Sequence, residues 1–170
     1  MIHSFKESLE QSAEVALESW WEEIYRQYFP HFLSMSAPIE DGWGQRAGID
    51  RVILLKSGKQ IKIDEKVRYT DYDDILIEYW SDKERKIPGW GVRELDCDYI
   101  AYAVLPTKTC FMLPFDHLQA TVCNNADEWI KQYGGIQTAN PNYTTVSMAV
   151  PLKVLYDAMN NAGQVQWNGQ

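Results

Sequence analysis

A chain of 170 residues, 45% hydrophobic and 24% charged, suits one globular domain with a sizeable core. Its formal net charge of −8 argues against a uniformly basic nucleic-acid coat, and no run of 18 apolar residues offers a membrane span. Three scattered cysteines, Cys97, Cys110 and Cys123, form no CxxC pair; this argues against a disulfide framework or structural zinc and for a reducing, cytoplasmic setting.

The first predicted element is an amphipathic helix from about Ser4 to Tyr28. Phe5, Leu9, Ala13, Ala16, Leu17, Trp20 and Ile24 recur at three- and four-residue steps. Ser4 and Glu7 make a capping-box pattern, and Pro30 ends the helix region. The charged start, Met1 to Glu10, lacks the apolar stretch of a signal peptide. His31 to Gly44 reads as a loop. Arg51–Leu55 and Gln60–Tyr69 are then expected as strands, joined by a turn at Lys56-Ser57-Gly58-Lys59. Ile75–Trp80, Tyr99–Leu105 and Thr109–Leu113 are further strands, the last two separated by a turn at Pro106.

A helix is expected from Pro114-Phe115-Asp116 to Tyr133, in two pieces, broken at Gly134-Gly135. A turn at Asn140-Pro141-Asn142 leads into a strand from Tyr143 to Val150. Pro151 opens a last helix through Met159. Residues 161–170 are polar and expected to fray. This order gives one mixed α/β domain over residues 1–160, with a central sheet flanked by helices.

The hairpin between the first two strands carries the chemistry. With Ser57-Gly58-Lys59 as its loop, Asp50 lies opposite Lys66 and Val52 opposite Asp64, so Asp50, Asp64 and Lys66 share one face. A two-residue loop instead sets Asp50 opposite Glu65, on the other face. Two carboxylates converging at a sheet end form a hard-oxygen site suited to Mg²⁺ or Mn²⁺. A lysine beside them can orient a water or stabilise a negatively charged transition state. The bulk charge conceals a local balance, because 11 of the 16 basic side chains fall between Arg46 and Arg93.

The run Gln45-Arg46-Ala47-Gly48-Ile49-Asp50, an apolar strand, a turn, Ile61-Lys62-Ile63-Asp64-Glu65-Lys66-Val67-Arg68 and then Asp74-Ile75-Leu76-Ile77-Glu78 resembles the PD-(D/E)XK nuclease superfamily, in the form seen in small phage and bacterial proteins. That superfamily has a restriction-endonuclease-like core: a helix, a β-hairpin bearing the D and the D/E-x-K, a further strand, a helix and a strand. The resemblance implies a divalent-metal-dependent DNA endonuclease that hydrolyses phosphodiester bonds. It implies that Asp50 and Asp64 hold Mg²⁺ or Mn²⁺, with the Glu65 carbonyl oxygen, and that Lys66 assists the attacking water. Ile49 replaces the proline of the pattern, and Glu65 stands where an apolar residue is usual.

Several residues could extend the site. Glu78 is either a further acid near it or a surface carboxylate, and Glu10 is either the first-helix glutamate that members of the superfamily often add or a surface carboxylate. Gln45 either contacts phosphate or is a loop amide. Lys83-Glu84-Arg85-Lys86-Ile87-Pro88-Gly89-Trp90 either grips a phosphate backbone and stacks a base, or is a charged loop around a core Trp. A homodimer would supply the two sites that symmetric cleavage of both strands takes. Two rivals remain: a catalytically inactive nuclease-fold protein acting in binding or anti-defence, to which the acidic charge points, and a Trp- and Tyr-rich interaction module in which Asp50 and Asp64 point apart.

Overall fold

The computed structural model describes residues 19–37 and 47–162. The expected helix before Ser19 with Glu10, the segment containing Gln45 and the chain beyond residue 162 lie outside the described residues. In chain order the elements are α1 (Trp20–Tyr28), β1 (Phe32–Ser36), β2 (Arg51–Leu55), β3 (Gln60–Arg68), β4 (Asp74–Asp82) and β5 (Ile87–Pro88). There follow β6 (Tyr99–Val104), β7 (Thr109–Pro114), α2 (Phe115–Tyr133), β8 (Ile136–Ala139), β9 (Thr144–Pro151) and α3 (Leu152–Ala162). The mixed α/β class expected from the sequence holds, with the strands divided between two sheets. The chain forms two compact units, Met1–Asp71 with Leu95–Leu113, and Tyr72–Glu94 with Pro114–Gln170.

The first unit is a five-stranded mixed sheet in the order β1-β2-β3-β6-β7. β1, β2 and β3 run antiparallel in sequence, whereas β3 and β6 are parallel, Ile63 meeting Tyr99 and Arg68 meeting Val104. Side chains of a strand alternate between faces. Ile61, Ile63, Glu65 and Val67 therefore share one face of β3, and Asp64 and Lys66 the other. On the first face Ile53, Ile61 and Ile63 pack with Trp21, Tyr25 and Phe29, which recur at four-residue steps along and just beyond α1. Ala101 and Ala103 on β6 are small enough to admit these aromatic rings.

The second unit is a four-stranded sheet in the order β5-β4-β9-β8, with α2 and α3. Ile75, Ile77, Leu118, Val122, Met148, Val150 and Leu155 are fully buried there.

The structure corrects the sequence reading in several places. The segment after Pro30 is not all loop, because Phe32–Ser36 is a strand. Its register slips by one residue between Phe32 and Ser34, so its apolar positions do not alternate cleanly. α2 is one continuous helix rather than two pieces. Phe115, Leu118, Val122, Ala126 and Trp129 form an unbroken buried stripe, and the polar run at Cys123-Asn124 falls on the exposed side. Pro151 ends β9 opposite Asp74 instead of opening α3, whose first residue is Leu152. β8 went unread because all four of its residues are exposed and show no alternation.

The hairpin loop has three residues as expected, but they are Lys56-Ser57-Gly58. Leu55 N–H donates to the Lys59 carbonyl at 2.9 Å, and Gly58 N–H to the Leu55 carbonyl at 2.8 Å. The reason is Gly58, whose φ of 85° fills the left-handed third position of such a loop, where glycine carries no Cβ penalty. Arg51 is thereby opposite Ile63 and Val52 opposite Lys62. The pairing differs from the expected one by two residues. An even shift leaves every side chain on its expected face.

Candidate metal centre

Asp50 precedes β2 and is tied to β3 by its own backbone, its N–H donating to the Ile63 carbonyl at 2.8 Å. Its carboxylate accepts the Glu65 N–H at 2.8 Å. Asp64 is 3% exposed, and one carboxylate oxygen, Oδ1, accepts Lys66 Nζ at 2.6 Å. The other oxygen, Oδ2, is buried and no donor among the described residues reaches it. What faces Asp64 is a second carboxyl, that of Asp50, within hydrogen-bond reach. Two ionised carboxylates are acceptors only, so a proton or a cation must lie between them.

Burial is the chief reason that the Asp64 carboxyl is pushed up to about 7. The Lys66 ammonium opposes this, and the hydrogen bond and charge of Asp50 add to it. A pKa raised in the folded state gives stability that is present in full below the ordinary value near 3.8 and is lost as pH rises through about 7. The metal-free protein should therefore melt progressively lower from pH 5 to pH 8 in EDTA. That slope should flatten in Asp64→Asn; an equal slope in both proteins would place the titration elsewhere.

Glu65 points to the opposite face and is not a third carboxylate of this centre. Arg51 grips it with two hydrogen bonds, Nε to Oε1 at 2.9 Å and Nη2 to Oε2 at 3.0 Å. The Tyr25 hydroxyl donates to the same Oε1 at 2.7 Å. The side chains of Arg51 and Glu65 are 9% and 5% exposed, so the pair is buried in the layer under α1. Burial raises the Glu65 carboxyl above its ordinary value against the pull of Arg51 and Tyr25. The Tyr25 phenol is raised as well, by burial and then by the Glu65 charge.

The backbone of Glu65 serves the other side. Asp98 N–H takes the Lys62 carbonyl and Leu105 N–H the Arg68 carbonyl, so even-numbered residues of β3 bond towards β6. Odd-numbered residues turn their polar groups to the β2 flank, where Glu65 N–H meets Asp50. The Glu65 carbonyl is aimed along that flank too.

Among the other expected residues, Glu78 lies on β4 of the second unit, half-buried and opposite Ser147. Trp90 is 8% exposed, so the loop before it surrounds a core Trp and does not present a stacking platform. Arg51 and Tyr25 were not singled out from sequence. For Arg51 a signal existed, since the expected register set it directly across from Glu65. Cys97 is buried near Asp64, and its thiol is pushed up to about 12, by burial first and the Asp64 charge next. It remains a protonated, unreactive thiol.

Among the described residues, no group of three or more His, Cys, Asp and Glu side chains is placed to hold a metal ion, and no helix is long and apolar enough to cross a membrane. A Mg²⁺ site does not need three, because this ion takes one or two carboxylates and completes its shell with water and substrate phosphate. Comparison with protein-family models, with characterised proteins and with solved structures returned no match.

Proposed function

We propose that the chain is a divalent-metal-dependent DNA endonuclease with a restriction-endonuclease-like core, hydrolysing phosphodiester bonds at the Asp50–Asp64 centre. The observation that carries this reading is the buried Asp64 Oδ2, which no donor among the described residues reaches and which belongs to a carboxylate facing a second carboxyl, with an ammonium fixed beside them. Asp50, Asp64 and the Glu65 carbonyl would hold Mg²⁺ or Mn²⁺. When bound, the ion supplies Lewis-acid polarisation of a phosphodiester and lowers the pKa of a water.

The remaining work falls to the chain. Glu65 N–H holds Asp50 in place, and on the other flank Asp64 is paired with Ile100 of β6. Lys66 keeps 28% of its side chain exposed while contacting Asp64. Its ammonium can therefore meet a water or a phosphoryl oxygen as negative charge develops there. The hairpin bearing both motif halves agrees with the superfamily core, as does the helix before it. The link between the parallel strands β3 and β6 departs from that core, since it contains β4 and β5 and no helix.

Cleavage of supercoiled and linear duplex DNA in Mg²⁺ and Mn²⁺ tests the reading. Lys66→Met should slow cleavage roughly 10²- to 10³-fold, as removal of a transition-state donor does, with Mn²⁺ still bound. Absence of cleavage under every divalent ion would turn the assignment towards a non-catalytic DNA-binding or anti-defence role.

A further inference from the structure

Arg51 and Glu65 are two full charges buried directly behind the carboxylate pair. Glu65 is flanked in sequence by Asp64 and Lys66, and Arg51 follows Asp50. The guanidinium is thus carried by the residue next to one proposed ligand and is close enough to feel its charge. A positive charge at that place opposes any cation held between Asp50 and Asp64. The Glu65 carboxylate meets it in a two-pronged contact at 2.9 and 3.0 Å, and Tyr25 fixes the carboxylate from α1 at 2.7 Å. Burial removes the water that would otherwise screen the guanidinium, which makes an equally buried counter-charge the effective means of cancelling it.

We propose that Arg51 and Glu65 are a charge-balanced pair that sets the divalent-ion affinity of the Asp50–Asp64 centre from the opposite face of the sheet. This rests on the metal reading of that centre. Besides its carbonyl, Glu65 contributes through its amide, which orients Asp50, and its carboxylate, which neutralises Arg51. Neither side chain is catalytic, and both act through the ligands. The unusual acidic residue within Asp64-Glu65-Lys66 then has a physical cause. An apolar residue there suffices when nothing charged lies across the hairpin, and with Arg51 in place a carboxylate is needed.

The test is Mn²⁺ titration calorimetry on the full chain without DNA, with thermal denaturation in EDTA as the check on folding. Glu65→Gln keeps the shape and a hydrogen-bond acceptor but removes the negative charge that faces Arg51; Mn²⁺ should bind roughly tenfold more weakly, as for one extra charge across a strand. Paired replacement, Arg51→Met with Glu65→Leu, removes both charges, and exchange of a buried ion pair for apolar residues is often neutral for folding. This double variant should return to within about threefold of the wild-type affinity, the net charge behind the centre being unchanged. If Glu65→Gln binds Mn²⁺ as the wild type does, or if the double variant is as weak as the single one, the pair is structural only and the inference falls. A wild type that binds no Mn²⁺ overturns the metal centre itself and the inference with it.

Discussion

Replacing Asp64 by Asn is expected to abolish metal-dependent cleavage while leaving the metal-free protein at least as stable as the wild type at pH 8. The two effects have one origin. Asp64 is 3% exposed, and burial with Asp50 beside it holds its carboxyl near 7. At pH 8 the carboxylate is ionised in a place that disfavours the charge, and each unit of such a shift is worth about 1.4 kcal/mol. Asn removes that cost and keeps the shape, though Lys66 loses its partner. The net gain should be on the order of 1–3 kcal/mol.

Cleavage should fall by more than the roughly 10- to 100-fold seen when only the supports of metal ligands are removed. Urea denaturation in EDTA and Mn²⁺ titration measure the two sides separately. An Asp64→Asn protein that still binds Mn²⁺ with wild-type affinity would remove Asp64 from the ligand set. A destabilised one would show that the Lys66 contact outweighs the cost of burial.

The second large effect concerns folding. Trp21→Ala should cost about 3–5 kcal/mol, the range for deleting a buried Trp from a packed core. Trp21 is fully buried, stacked on Trp20 with ring centres 4.3 Å apart and on Tyr25 at 5.8 Å. Its cavity would open beside Ile53, Ile61 and Ile63, beneath the strands that carry the carboxylates. The urea midpoint should drop by roughly 1 M or more, given slopes of about 1–3 kcal/mol per M. A loss below about 1 kcal/mol would mean that the aromatic stack contributes little. Tyr25→Phe, which removes one hydroxyl from the same stack, provides the mild comparison.

The strands with a polar–apolar alternation or an apolar run, β2, β3, β4, β6, β7 and β9, were legible because they carry buried or partly buried positions. β1 was hidden by its one-residue slip, and β8 by having no buried face at all. The division of strands between two sheets had no sequence signal, since pairing partners far apart in the chain leave no local pattern. At the candidate centre, the motif resemblance pointed to Asp50, Asp64 and Lys66, and the face parity that sets them together survived a two-residue error in register. The sequence left the side chain of Glu65 open, and the structure turns it to the opposite face, onto Arg51. Its partner on α1 was not legible either, because the phase of a helix against a sheet is decided by packing rather than by spacing within either element.

The parallel pairing of β3 with β6 also dictates when the centre can exist during synthesis. The β2–β3 hairpin is local and can close within microseconds of leaving the ribosome. Ile63, however, waits for Tyr99 and Asp64 for Ile100. At ordinary elongation rates, that delay is roughly 2–7 s. Throughout it β3 is an open edge, and Asp64 remains hydrated and as acidic as any free aspartate. The strand that ends the delay, Tyr99–Val104, brings no carboxylate of its own. Its pairing with β3 completes the sheet around Asp64, after which a proton or a cation must lie between the two acids of the hairpin.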